Sequence, residues 1–102
     1  MYDLTNQFAK SELYGTVSQL RRAVVSIMLN YLEGFARFKP KVKLNFWEIS
    51  FGSLKESKYL IFLGLEKKWI KREQYSQAFR LADELSAMLW KMIIGLQGTI
   101  DE

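Results

Sequence analysis

YGTVSQLRRAVVSIMLNYLEGFAR, residues 14–37, is the stretch from which the fold follows. It is long, almost free of helix breakers, and apolar on more of its circumference than a surface helix needs. Val17, Leu20, Val24, Ile27, Met28, Tyr31 and Phe35 recur at three- and four-residue steps, one continuous stripe at about 3.6 residues per turn. Val25, Leu29 and Leu32 add a second stripe on another side, so this helix has to be covered twice. Arg22, Ser26, Asn30, Glu33 and Arg37 form a polar file of their own. A helix apolar on two sides sits at the centre of what the chain builds.

Outward from it, the chain reads as helix throughout. Residues 1–8, MYDLTNQF, with apolar points at Tyr2, Leu4 and Phe8, read as a short helical end or an irregular lead-in. Residues 9–15 are polar, close on Gly15 and read as a connection, after which Thr16 or Ser18 caps the long helix. That helix stops near Phe38, because Pro40 disfavours helical geometry at Lys39 and cannot extend a helix from within. Pro40 instead suits the opening of the next element, residues 41–65, where Phe46, Trp47, Ile49, Leu54, Ile61, Phe62 and Leu65 keep the helical spacing. The string YLIFLGL inside it is rich in β-formers, yet it lacks strand alternation and joins an unbroken helical pattern. Gly64 and residues 66–72 mark a turn. Residues 73–100 form the last helix, with a stripe through Tyr75, Phe79, Ala82, Leu85, Met88, Leu89, Met92, Ile93 and Leu96. The reading is all-α: a single domain over residues 1–102, an antiparallel up-down helical bundle of three long helices plus a shortened first one.

Composition narrows the function. The 102 residues contain neither cysteine nor histidine, which removes disulfides, thiol chemistry, the commonest general base and the commonest metal ligand. The longest uncharged runs reach about half a membrane span, and the N-terminus lacks the layout of a signal peptide, so the expected address is the cytoplasm. Net charge is +4 and the pI about 9.4, which permits a polyanionic partner. Residues 39–72 hold nine of the fifteen basic residues, whereas the stretch from residue 73 onward is net acidic.

Two sets of candidate site residues follow. Arg21, Arg22, Arg37, Lys39, Lys41 and Lys43 suit phosphate binding, since arginine forks match phosphate oxygens and clustered cations release counterions. The plain alternative is that Arg22 and Arg37 pair with Glu33 or Glu56 while the lysines solvate a loop. Lys67 and Lys68 belong with the phosphate set, because with Lys71 and Arg72 they surround Trp69 in a basic turn suited to RNA contact or to wedging between subunits. Ser26, Asn30 and Glu33, with Ser53 and Glu56 on the next helix, read as a structural polar seam fixing helix register. Glu33 and Glu56 also form a carboxylate pair, but a di-metal bundle adds Glu-x-x-His and the chain has no histidine. No catalytic residue, metal site or cofactor is expected. Gly34 and Gly52 interrupt helical patterns, and close helix approach explains both.

Three motifs carry a family resemblance. YGTVSQLRRAVVSIMLNYLEG (residues 14–34), FWEISFGSLKES (46–57) and YSQAFRLADELSAMLWKMIIGL (75–96) resemble the four-helix bundle proteins encoded by intervening sequences in 23S ribosomal RNA genes, also labelled S23 ribosomal proteins. The family's opening helix usually begins upstream of the point matching Met1, hence the shortened first helix here. Tyr31-Leu32 and Ser50-Phe51 also depart from the family pattern. The resemblance implies a homo-oligomer, commonly a pentameric ring, without enzymatic activity and with a role in binding nucleic acid. Related accessory proteins of diversity-generating retroelements share that barrel and assist a reverse transcriptase. The resulting expectation is a non-enzymatic, homo-oligomeric, cytoplasmic protein that binds RNA or DNA through a basic surface. A protein–protein adaptor is the alternative, and a carboxylate-based hydrolase lacks an activated nucleophile or base.

Overall fold

A computed structural model describes the backbone of residues 4–101 and the side chains of residues 10–101. Three helices follow in order: α1 (Leu4–Ala36), α2 (Pro40–Glu66) and α3 (Arg72–Asp101). They run up, down and up, and the molecule measures 66 × 22 × 17 Å. α2 is the middle helix: α1 and α3 each pack along it, and among the described residues no Cα of α1 comes within 8 Å of one in α3.

The breaks lie where backbone chemistry demands them. Lys39 is extended (φ −76°, ψ 123°) and Pro40 opens α2 at its first turn, where its missing N–H costs nothing. α2 ends in a Schellman motif: Trp69 N–H donates to Gly64 O at 2.9 Å and Lys68 N–H to Leu65 O at 3.0 Å. Lys68, not a glycine, takes the left-handed position at φ 62°. α3 begins with Gln74 Oε1 accepting from the Lys71 backbone N–H at 2.8 Å, half of a capping box.

The first helix corrects two expectations. Residues 4–8 do not form a separate stub, and residues 9–15 are not a connection; all belong to α1, with Gly15 inside it. A lone glycine costs a helix about 1 kcal/mol, which the neighbouring contacts outweigh. Leu13, Thr16, Val17 and Leu20 are half-buried and line an apolar cavity with Leu60 and Ile61, and Glu12 pairs with Lys67 at 3.3 Å. Thr16 and Ser18 lie mid-helix and cap nothing. The part of the lead-in at residues 1–3 lies outside the described residues.

The apolar core sits mainly between α2 and α3. Leu54, Ala82 and Leu89 form one cluster, backed by Ile27, Tyr31 and Phe51; Leu44, Trp47 and Ile93 form another, backed by Met92, Leu96 and Ile100. The α1–α2 contact is different in kind. There α1 turns inward its small and polar residues, with Ala23 and Gly34 buried and Ser26 and Asn30 half-buried, while Val25, Met28, Leu29 and Leu32 stay exposed. A Cβ built on Gly34 would overlap the Trp47 indole at Nε1 and Cδ1 and come within 3.1 Å of Cε2, so close approach explains this glycine. It does not explain Gly52, where an added Cβ would meet nothing within 4 Å beyond its own stretch of helix.

Candidate nucleic-acid interface

Of the inward-facing polar residues of α1, Ser26 finds its partner on α2 and Asn30 braces Ser26 from within α1. Ser26 and Ser53 share a hydroxyl–hydroxyl hydrogen bond of 2.7 Å, and Asn30 Nδ2 donates to Ser26 O at 2.8 Å and Ser26 Oγ at 3.1 Å. One helical turn either side, Ser50 Oγ donates to Ile27 O across the interface and Ser57 Oγ to Ser53 O. Ser50 and Ser57 are both buried, and neither was legible as part of this seam. Their positions, seven apart and flanking Ser53 on the α1-facing side, were the available signal. Glu33 and Glu56 are outside the seam. Glu33 is exposed and pairs with Arg37 at 2.8 Å on its own helix, and Glu56 is exposed on α2. The two carboxylates do not converge, and among the described residues no group of three or more metal-ligating side chains gathers anywhere.

The basic residues separate into three places. Arg21 and Arg22 are exposed on α1, about 24 Å along the helix from Arg37 at about 1.5 Å per residue. They border two shallow hollows with Leu13, Tyr14, Val25 and Leu29, and neither forms an ion pair among the described residues. Lys67 and Lys68 are at the α2–α3 turn, with Lys67 engaged by Glu12. Trp69 in that turn is not displayed for stacking. It is half-buried and lines an apolar cavity of about 280 Å³ with Leu13, Val17, Leu60, Ile61 and Ile70.

Arg37, Lys39, Lys41 and Lys43 come together at the opposite end, on the α1–α2 corner. Arg37 lies over the Phe46 ring at 5.1 Å as well as against Glu33, and Lys43 sits over Phe35 and Trp47 at 5.8 and 5.6 Å. These aromatic faces hold the cations by their ring quadrupoles and orient the corner. Lys39 and Lys41 are exposed and make no ion pair among the described residues. Between them and Arg37 stands Phe38, 98% exposed, which sequence reasoning did not single out. Its signal was position: an aromatic off the apolar stripe of α1, next to Lys-Pro, has no helix face to pack on.

Comparisons with known proteins converge on one family. No curated protein matches the chain significantly. A solved structure of a protein of unknown function from the S23 ribosomal protein family of Bacteroides thetaiotaomicron VPI-5482 is similar in fold. Its TM-score is 0.75 at 24% sequence identity, over 76% of this chain and 72% of that one. The family model for the 23S rRNA-intervening sequence protein matches residues 1–91, spanning both interhelical corners and most of α3. The chain belongs to the 23S rRNA-intervening sequence protein family.

Proposed function

We propose that this chain is a non-enzymatic, homo-oligomeric helical-bundle protein of the cytoplasm that binds RNA or DNA through a basic surface, contacting phosphates with little sequence preference. The observation that carries the reading is the α1–α2 corner, where Arg37, Lys39, Lys41 and Lys43 sit on one end of the bundle. Aromatic rings hold two of these cations while the other two face solvent. Such a cluster supports phosphate contact and counterion release. Oligomerisation is supported by apolar surface the three helices leave uncovered: Val25, Leu29 and Leu32 on α1, and Leu81, Leu85 and Met88 on α3. A five-fold ring is the assembly the family resemblance implies. Among the described residues no helix is long and apolar enough to cross a membrane.

The same apolar faces favour a second reading, an adaptor that docks on another protein, such as a reverse transcriptase, without touching nucleic acid. Binding to structured RNA and double-stranded DNA across a salt series, on a preparation of known oligomeric mass, separates the two. A phosphate-binding protein loses affinity steeply with salt, and Lys39→Ala/Lys41→Ala weakens it further. Absence of binding at low salt, with the oligomer intact, refutes the first reading and leaves the adaptor.

A further inference from the structure

The α1–α2 corner displays a free aromatic ring among its cations, and that ring specifies what form of nucleic acid the corner takes. Phe38 is 98% exposed, whereas its neighbours Phe35 and Phe46 are engaged within the fold, Phe35 with Tyr31 and Trp47 at ring separations of 5.0 and 5.3 Å. The residue sits in a three-residue break between two long helices. Gly34 O accepts from Arg37 N–H on one side, and extended Lys39 followed by Pro40 fixes the other. The ring is therefore presented on a stiff corner, so little ordering is needed when a partner docks. Beside it lies a shallow hollow of about 350 Å³ lined by Ala36, Arg37, Phe38, Lys39 and Val42. Apolar surface and cations alternate there within one turn of chain.

A duplex offers phosphates to such a corner but no base face, because its bases are stacked on one another. Unpaired bases do offer a face, and stacking on an aromatic side chain with cations on the flanking phosphates is how single strands are held. Building on the phosphate-binding reading above, we infer that the α1–α2 corner is a single-strand binding site. Phe38 stacks on one unpaired base, and Lys39 and Lys41 hold the adjoining phosphates. Arg37 is already shared between Glu33 and Phe46 and orients the corner. A lipid surface is the less suitable occupant, since Phe38 and Val42 are too small an apolar patch to anchor a helix pair in an interface.

Fluorescence anisotropy with three probes carrying the same number of phosphates tests the site: an unstructured RNA oligonucleotide, a perfect RNA duplex, and an abasic strand. The wild-type protein binds the single strand about tenfold or more tighter than either of the others. Phe38→Ala lowers single-strand affinity about 5- to 100-fold and leaves duplex affinity within twofold, while Phe38→Trp retains the preference. Lys39→Ala/Lys41→Ala weakens all three probes. Equal binding of the single and abasic strands, or no change on Phe38→Ala, overturns the inference while leaving phosphate binding in place. A Phe38→Ala variant of altered oligomeric mass and unchanged affinity assigns the ring to a subunit contact and overturns it as well. Wild-type binding to phosphatidylserine vesicles but to no nucleic acid at low salt refutes the broader reading together with this one.

Discussion

Replacing Gly34 with alanine puts a methyl group where the Trp47 indole already stands. The helix itself favours the change by about 1 kcal/mol, the propensity gap between glycine and alanine. Against this, a Cβ at that position overlaps Nε1 and Cδ1 of a ring that cannot easily yield. Trp47 is buried, packs with Leu44 and Ile93, meets Phe35 edge-on at 5.3 Å, and donates from Nε1 to Tyr31 O at 3.3 Å. Expelling the ring forfeits much of the roughly 3–5 kcal/mol that truncating a buried tryptophan costs. Moving α1 away from α2 is cheaper, at about 2–4 kcal/mol, toward and somewhat past the upper end of overpacking penalties, and it stretches the Ser26–Ser53 and Ser50–Ile27 bonds. The net expectation is a loss of about 1–3 kcal/mol, a fall in Tm of at least about 4 °C for a domain of this size. Urea unfolding followed by circular dichroism and tryptophan fluorescence, at matched protein concentration, measures it. Trp47→Phe frees part of the space, so the double variant loses less than the sum of the two singles by more than about 0.5 kcal/mol. Gly52→Ala, with nothing within 4 Å, serves as the opposite case and gains about 0.5–1 kcal/mol. Should Gly34→Ala instead unfold at or above the wild-type midpoint, the close packing of Trp47 on α1 is refuted.

Three further outcomes follow from local geometry. Because Lys68 holds φ 62° in the Schellman turn, Lys68→Gly should be about 1 kcal/mol more stable than Lys68→Ala, with charge equally lost in both; equal midpoints would contradict the left-handed turn. Ser86 Oγ is buried without a hydrogen-bond partner among the described residues. Ser86→Ala therefore raises stability by about 1 kcal/mol or more in thermal unfolding, and a destabilised variant would mean the hydroxyl has a partner. Ser53→Ala removes the hydroxyl that meets Ser26 and costs about 1 kcal/mol; combined with Ser26→Ala it should cost less than the two changes added, and strict additivity would separate the two hydroxyls.

Much of the fold is legible in the chain because helices announce themselves by spacing. Pro40 marks the start of α2 unaided, and the string YLIFLGL resolves as helix once its neighbours are read with it. Gly15 misled because a glycine after a polar run has the same local signature whether it ends an element or interrupts one. Only the packing of Leu13 and Val17 beneath the α2–α3 turn decides between them, and that is tertiary information. The orientation of α1 was hidden for a related reason. Periodicity locates apolar stripes but not which of them the chain itself covers, and here Ser26 and Asn30 share the intramolecular contact with Val17, Leu20, Ile27 and Tyr31, while Val25, Leu29 and Leu32 stay exposed. The basic residues were legible as a set but not as a place. Residues adjacent in charge pattern proved to lie in three places, the α1–α2 corner and the α2–α3 turn being about 40 Å apart along α2 at about 1.5 Å per residue, and Phe38 gained meaning only when its exposure was known.

The middle position of α2 sets the order in which the chain can assemble. Among the described residues, backbone-to-backbone proximity between helices joins only elements adjacent in sequence, so loops to be closed are short and relative contact order is low. Folding on the microsecond-to-millisecond scale is expected of such a topology. The two hairpins are unequal nuclei, however. α2 and α3 share the two buried apolar clusters, whereas α1 meets α2 through a mixed seam in which Ala23, Ser26, Asn30 and Gly34 stand among half-buried Leu13, Val17, Leu20, Ile27 and Tyr31. The buried apolar clusters favour the C-terminal hairpin as the earlier nucleus, and docking of α1 after it is the expected order. Substitutions at Leu54 or Leu89 should slow folding, and those at Ser26 or Gly34 should chiefly hasten unfolding.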